Sequence, residues 1–389
     1  MVPTYLPATR YGGPIYSVHG LCKGLVSLGH DVHVFTTNVD GKKDSDVPLQ
    51  QPVELDGVKV WYFPSTLLRR LYWAPKMFKA LQNHIREFDV IHLHSVFLWP
   101  TWAAARVARR HKKPYFLSPR GMLVKGLIEQ KSRLLKSMWI RLIESRNIRN
   151  AQSIHLTSQV EMDELKKFDF RLQDYVVIPN GVETPKYLDY QKVSDDVKSL
   201  IQSPYILYLG RINWKKGLDR LVDAVSGIDG CRTLIVGNDE EDYLPKLQNL
   251  IEHSGAKEEI EILPRFVSGM DKEALLRNAT LFVLPSYSEN FGNTVVEAMA
   301  RRCAVIVTEE VGAAEIVRQS EAGFICSAND LEQTLKECLN NNEVRKHCAN
   351  SGEKWARDHL SWHTVAQRMV DKYEELIVNS SRLDEALER

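Results

Sequence analysis

The sequence predicts an α/β protein made of two doubly wound, Rossmann-like domains. Short apolar runs of strand length alternate with stretches of helical period, and this alternation runs once to about residue 182 and restarts at 205. The most organised stretch is 281–317. There an apolar run, Leu281 to Leu284, stops at Pro285-Ser286, and a polar loop leads into a helix carrying Val295, Val296, Ala298 and Met299. At 389 residues the chain is too long for one ordinary core.

Composition narrows the class. With 44% apolar and 26% charged residues, the chain reads as a soluble globular protein. No apolar run approaches the ~18 residues that span a bilayer. The opening, MVPTYLPATRYGG, lacks a basic region followed by an apolar core, so no signal peptide is expected and a cytoplasmic placement is. Six cysteines (22, 231, 303, 326, 338 and 348) form no CxxC pair, which points to reduced, packed thiols rather than a disulfide frame or zinc site. The net charge of +1 hides an asymmetry: 26 Lys/Arg face 16 Asp/Glu in 1–183, and 25 face 34 in the remainder. Residues 101–150 hold 13 bases against Glu129 and Glu144 alone, so the first half is expected to meet something anionic.

In chain order, Val2 and Pro3 read as the end of a strand. A loop and a helix from Pro14 to Leu28 follow, with Gly12-Gly13-Pro14 giving close backbone approach and a proline in the first turn. Gly29-His30 ends that helix, and 31–37 is the next strand. The loop 38–52 contains Asp44-Ser45-Asp46, read as a charged loop and not as a metal site. A hairpin-like run at 58–63 and a helical stretch at 66–87 lead to a buried strand at 89–95. His92 and His94 share one face of it, and His94 lies nearer the C-terminal end, where open α/β sheets bind ligands. Helix 100–111 and strand 114–118 precede the turn Pro119-Arg120-Gly121-Met122; Arg120 suits a phosphate or an acceptor but cannot act as a base at neutral pH. Residues 124–149 alternate apolar pairs with Lys125, Lys131, Arg133, Lys136, Arg141, Arg146 and Arg149, an amphipathic basic helix. A strand at 153–158 and a helix at 160–168 complete the first domain, with the exit at Pro179-Asn180-Gly181-Val182.

The second domain opens on strand 205–210. Arg211 at its C-terminal end and Lys216 at the next helix entry form a fork and a point charge suited to one diphosphate. After strand 233–237 and helix 242–254, strand 260–263 leads to Pro264-Arg265-Phe266-Val267. At 281–317 the strand–loop–helix unit aims backbone amides at one spot with a positive dipole behind them, which favours an anion. Glu289 before the helix and Glu297 within it suit hydroxyls. Gly312-Ala313-Ala314-Glu315 repeats the device, 330–359 is helical, a final helix covers 362–377, and 379–389 is expected to fray. No G-x-G-x-x-G follows the first strand, which argues against a nicotinamide dehydrogenase.

Glu289-x7-Glu297, with Ser288-Glu289-Asn290-Phe291-Gly292 before and Glu297-Ala298-Met299-Ala300 after, resembles the retaining glycosyltransferases of family 4. So does G-R-x-x-x-x-K-G at 210–217, and the likeness extends over nearly the whole chain. It implies the GT-B fold: an acceptor-side domain, 1–183, completed by a final helix at 362–378 that crosses back, and a donor-binding domain, 184–361, facing it across a cleft. It implies transfer of a hexose from a nucleoside-diphosphate sugar to a saccharide or lipid-linked acceptor, with retention and without a metal or other cofactor. Residue by residue, it casts Arg211, Lys216, Glu289 and Arg120 as catalytic. Gly13, Phe266, Val267, Asn290, Phe291, Gly292, Asn293, Thr294 and Glu297 become donor contacts, and His94 lies on the acceptor side. Two positions depart from the pattern: Arg120 stands where many members have histidine, and Arg265 where glycine is common. The setting it implies is bacterial surface polysaccharide or lipopolysaccharide assembly, peripheral on the inner face of the cytoplasmic membrane. The basic 101–150 region would meet anionic lipid there, and no nucleic acid is expected. A nucleotide-sugar epimerase and a non-catalytic nucleotide-sugar-binding subunit are the rival readings.

Overall fold

The computed structural model describes all residues except 131–136, Cys231 and 388–389, with backbone alone for Tyr11, Leu127, Glu129, Gln130 and 379–387. The chain divides into two compact units, Met1–Gly181 with Trp362–Arg389, and Val182–Ser361.

In the first unit, helix α1 (Gly13–Ser27) precedes β1 (His33–Thr37), β2 (Pro52–Leu55), β3 (Val58–Phe63) and α2 (Pro75–His84). Then come β4 (Ile91–His94), α3 (Trp99–Arg110), β5 (Tyr115–Ser118), β6 (Ser153–Leu156), α4 (Gln159–Lys166) and β7 (Tyr175–Val177). The strands form two sheets, β1-β3-β2 and β4-β5-β6-β7, parallel throughout except for the β2–β3 hairpin. The opening residues fill the gap between the two. Val2 N–H donates to Phe35 O at 3.2 Å and Thr37 N–H to Pro3 O at 3.3 Å. On the other side, His94 N–H donates to Met1 O at 3.0 Å. Three extended residues thus satisfy backbone groups of both β1 and β4.

Three stretches differ from the sequence reading. The helical pattern at 66–87 is α-helical only from Pro75; before it a single 3₁₀ turn, Arg69–Leu71, is flanked by Leu68 and Tyr72 in left-handed backbone. Leu67 and Leu68 are consequently presented to solvent. The 124–149 helix holds in its described residues but widens once. Lys125–Gln130 is helical, and Ile140–Glu144 widens to a π turn before Ser145–Arg149; Lys131, Arg133, Leu134, Leu135 and Lys136 lie outside the described residues. The widened turn brings Glu144 inward, fully buried, to accept from Phe97 N–H at 2.7 Å and Trp139 Nε1–H at 2.9 Å. Finally, helix 362–377 continues in backbone to Leu387.

In the second unit, β8 (Ile206–Leu209), α5 (Leu218–Ser226), β9 (Thr233–Val236), α6 (Leu244–Ser254), β10 (Ile260–Leu263) and α7 (Gly269–Asn278) lead to β11 (Leu281–Leu284) and α8 (Asn293–Met299). They are followed by β12 (Val305–Thr308), α9 (Ala314–Ser320), β13 (Gly323–Cys326), α10 (Leu331–Asn340) and α11 (Asn342–His359). Six parallel strands lie in the order β10-β9-β8-β11-β12-β13. Both faces are covered, so β8, β9, β11 and β12 are buried along their whole length. Asn341 separates α10 from α11 by accepting from Val344 N–H at 3.1 Å.

The final helix, α12 (Trp362–Leu387), returns to the first unit and packs on α1. Gly20 and Gly24 make this approach available: a Cβ on Gly20 would lie 2.1 Å from the Trp362 ring, and one on Gly24 2.4 Å from Trp362 O. Val365, Ala366, Met369 and Tyr373 then join Leu21, Phe116 and Ile178 in one apolar cluster.

Candidate active site

In the second unit the strand order reverses between β8 and β11, and a crevice opens beyond the C-terminal ends of such a pair. The loops leaving these two strands carry Arg211, Lys216 and Glu289. Gly217, in left-handed backbone (φ 62°), lets the first loop lie against the second; a Cβ there would come within 2.0 Å of Pro285 O. Tyr287 N–H donates to Lys215 O at 2.8 Å, and Arg220 spans the same junction, its guanidinium 3.7 Å over the Tyr287 ring. The result joins Lys216 Nζ to the Glu289 carboxylate, both largely shielded from solvent. Arg211 is held instead by Glu240, Nη1 to Oε1 at 2.6 Å, and Glu240 also accepts from Asn213 Nδ2 at 2.5 Å. The buried Tyr208 phenol donates to Arg211 O at 2.7 Å. Burial above all, and then the Glu289 charge, push its pKa well above the usual range, against the opposing Arg211 cation.

The loop after β11 is fixed on its other side. Glu289 N–H donates to Glu310 O at 3.2 Å, Gly312 N–H to Glu289 O at 2.8 Å, and Ala313 N–H to Phe291 O at 2.6 Å. Phe291 is a core residue, so only its backbone is available to a ligand; the same holds for Val267. Gly292, in left-handed backbone, caps α8, whose first turn is Asn293 and Thr294. Glu297 accepts from Lys272 Nζ at 2.8 Å through Oε1, while Oε2 is buried without a partner among the described residues. An orphaned carboxylate oxygen in such a place suits a hydroxyl donor. Phe266 exposes about half of its surface. The neighbouring Arg265 is committed elsewhere: it bonds Asp196 twice at 2.9 Å and Asp271 at 2.8 Å. These bonds hold the Asp196 carboxyl well below the usual carboxylate range. Arg265 is therefore a brace between segments.

In the first unit, His94 and Arg120 stand at the C-terminal ends of β4 and β5 and meet. Arg120 Nε donates to His94 Nδ1 at 3.2 Å, and Nη1 to Asn180 Oδ1 at 2.9 Å. Arg120 has left-handed backbone (φ 55°), a costly state for a non-glycine residue that the surrounding bonds must hold. Burial lowers its pKa to about 10, which leaves it a cation at neutral pH. Glu161 fixes the turn, accepting from Gly121 N–H at 2.7 Å. Behind it runs an ordered chain. His155 Nε2–H donates to Ile178 O at 2.9 Å, which leaves Nδ1 to accept from Ser118 at 2.8 Å. Ser118 in turn accepts from His92 Nε2 at 2.6 Å, and Tyr373 donates to His92 Nδ1 at 2.6 Å. Burial drives all three histidines below their ordinary range, His155 to about 3. Gly13 begins α1 at the same strand-end side of its βα unit, after Gly12 in left-handed backbone. Asp44 pairs with Arg69 at 2.5 Å.

The bracing residues Asn180, Glu161, Glu240, Arg220 and Lys272 were not singled out from sequence. The Ser158-x-x-Glu161 spacing of a capping box was a signal for one of them. The others act over sequence distances that no local pattern encodes.

Comparison with known proteins places this arrangement. Residues 191–355 match the family described as glycosyl transferases group 1, and 12–181 match the glycosyl transferase 4-like domain. An uncharacterized glycosyltransferase of Methanocaldococcus jannaschii is 25% identical over 96% of this chain and 97% of its own. The phosphatidyl-myo-inositol mannosyltransferase of Mycobacterium leprae is 26% identical over 82% of each. Among solved structures, Anabaena HepE in complex with UDP and glucose superposes with a TM-score of 0.74. That match covers 96% of this chain and 99% of HepE, at 19% identity. Two family matches that follow one another along most of the chain, over a GT-B architecture, make it a member of the group 1, family 4 type of glycosyltransferases.

Proposed function

We propose that the chain transfers a hexose from a nucleoside-diphosphate sugar to a saccharide or lipid-linked acceptor, retaining the anomeric configuration. The observation that supports this most is the shielded Lys216–Glu289 pair at the strand-order reversal, beside the start of α8. Each partner is of the type the reaction needs: a cation for a departing diphosphate and a carboxylate for sugar hydroxyls. On donor binding Lys216 turns to the diphosphate, joined by Arg211 released from Glu240. Glu289 then orients the sugar, and Glu297 Oε2 takes a ribose hydroxyl. The acceptor oxygen bonds to the anomeric carbon as the carbon–phosphate oxygen bond breaks on the same face, and the acceptor proton passes to the leaving diphosphate. Fixed cations stabilise the charge that develops, so no metal is required. Arg120, still cationic, contacts the acceptor or its phosphate. That HepE was solved with UDP and glucose favours a uridine donor.

The reading extends to location. No helix among the described residues is long and apolar enough to cross a membrane. Met138 and Leu142 are more than half exposed beside Arg141, which supports peripheral contact with an anionic inner-membrane surface in polysaccharide or lipopolysaccharide assembly.

The test is a melting-temperature screen against UDP, GDP, ADP and their sugars, followed by product analysis with the donor that binds. A shift for one nucleotide, then an acceptor-dependent product with the donor's anomeric configuration, is expected. A folded chain that responds to no nucleotide overturns the donor assignment, and an altered free nucleotide sugar formed without acceptor shows an epimerase.

A further inference from the structure

Away from the loops just described, the second unit holds a cavity of about 360 Å³, within the size range of small-molecule sites. Its lining includes Arg277, Arg301, Arg302 and Arg357, with Glu183 and Glu353. The four guanidinium groups are not equivalent. Arg301, almost fully buried, gives both Nε and Nη2 to Glu273 and Nη1 to Glu297 O at 3.2 Å; it is a structural floor. Arg357 reaches Asp358 through Nε alone at 3.3 Å, so its terminal fork has no partner among the described residues. Arg302 meets Glu353 only through Nε at 3.4 Å and gives Nη2 to Asn350 at 2.6 Å. Arg277 gives Nη2 to Lys186 O at 2.5 Å and Nε to Glu273 at 3.4 Å. Three arginines thus bring uncommitted terminal N–H groups to one concavity. Forks of this kind recognise phosphate by paired hydrogen bonds, and the two lining carboxylates accept from hydroxyls.

We propose that this cavity binds a small phosphorylated polyol at a site distinct from the donor loops. The two places share a helix. Asn293 begins α8 beside the donor loop, whereas Ala300 and Arg302, just past its end, line the cavity. From Asn293 to Met299 the helix rises about 9 Å. A second link runs through α7: Glu273 holds Arg301, and the preceding Lys272 holds Glu297. An occupant of the cavity therefore acts on the same two helices that carry the ribose carboxylate.

The full chain is titrated calorimetrically at low ionic strength with inorganic phosphate and with glucose 6-phosphate, with and without saturating UDP. Saturable binding of glucose 6-phosphate, tighter than that of phosphate and persisting with UDP, is expected. Arg357→Ala and Arg302→Ala each weaken it at least fivefold, the double variant abolishes it, and Arg357→Lys retains part of it. Both side chains are more than half exposed, so the variants keep the wild-type melting temperature. No binding to wild type overturns the proposal. So does binding that the double variant leaves intact, or that UDP abolishes. A chain that ignores UDP yet binds glucose 6-phosphate through these arginines refutes the donor assignment and leaves this one standing.

Discussion

Lys216 and Glu289 pair with each other, so on the proposed reading each exchanges partners when a donor binds. Lys216→Met is expected to lower turnover at least ~100-fold, the scale of losing one preorganised group that stabilises transition-state charge. Arg211→Ala should follow in the same direction while the melting temperature holds, because that side chain is half exposed. Rates equal to wild type in both variants would remove the diphosphate assignment. Lys272 acts differently. It holds one oxygen of Glu297 and leaves the other without a partner among the described residues; with that oxygen on a ribose hydroxyl, as proposed, Lys272→Met should raise the donor KM several-fold with kcat nearly unchanged, and reduce discrimination against a 2′-deoxy donor. Equal loss of kcat would place Lys272 in the chemical step. At this scale the sequence was legible in placement: Arg211, Lys216 and Glu289 lie on the loops leaving two buried strands, where residue type and local spacing put them. It was silent on pairs such as Arg120–Asn180, between two loops, and Lys272–Glu297, between α7 and α8. The arginine at 265 reads in sequence only as a departure from a common glycine; its carboxylate partners, Asp196 far back in the chain and Asp271 on α7, make it a brace.

Among elements, α1 and α12 meet through glycine. Gly20→Ala places a methyl group against the Trp362 ring and is expected to destabilise by about 1–3 kcal/mol, as overpacking does, measured by urea unfolding. The histidine chain links β4, β5 and β6 to α12, and it is ordered for neutral rings. Arg120, Tyr373, Glu161 and Cys22 surround it, and the cation among them further opposes protonation. The unfolded chain takes up protons at these positions below about pH 6.5, whereas the folded chain does not. The histidines' contribution to stability is therefore flat above pH 6.5 and falls with pH through the window down to about 3, by roughly 2 kcal/mol at pH 5 for His155 alone. Melting curves from pH 7.5 to 4.5 check this, and a His155→Gln variant should show a shallower slope. Clear punctuation was readable at Pro14, in the first turn of α1, whereas Pro75 at the start of α2 was passed over by the 66–87 reading. The helical period within 124–149 was readable as well; the π turn at Ile140–Glu144 that brings Glu144 to Phe97 N–H was not.

For the whole molecule, the restart of strand–helix alternation was visible in sequence because buried parallel strands are nearly pure apolar runs. Val2 and Pro3 were readable as the end of a strand, but not that Met1 to Pro3 bond both β1 and β4. The uneven charge makes a mechanical prediction: vesicles rich in anionic lipid should bind the chain at low salt and release it as ionic strength rises, and Met138→Ser with Leu142→Ser should weaken that binding. Absence of sedimentation even at low salt would leave this a solvated face. Transfer activity should survive excess chelator, and a complete block would return the Asp44–Asp46 pair to consideration.

The contact between α1 and α12 joins the beginning of the chain to its last helix, and biosynthesis makes these far apart in time. During translation the Gly20–Gly24 groove and the apolar side of Phe116 wait uncovered while residues 182–361 emerge and close their own sheet. The later unit can thus finish first. The earlier one is a partly assembled body until Val365, Met369 and Tyr373 clear the ribosome, and in that interval its bare flank is a natural client for a chaperone.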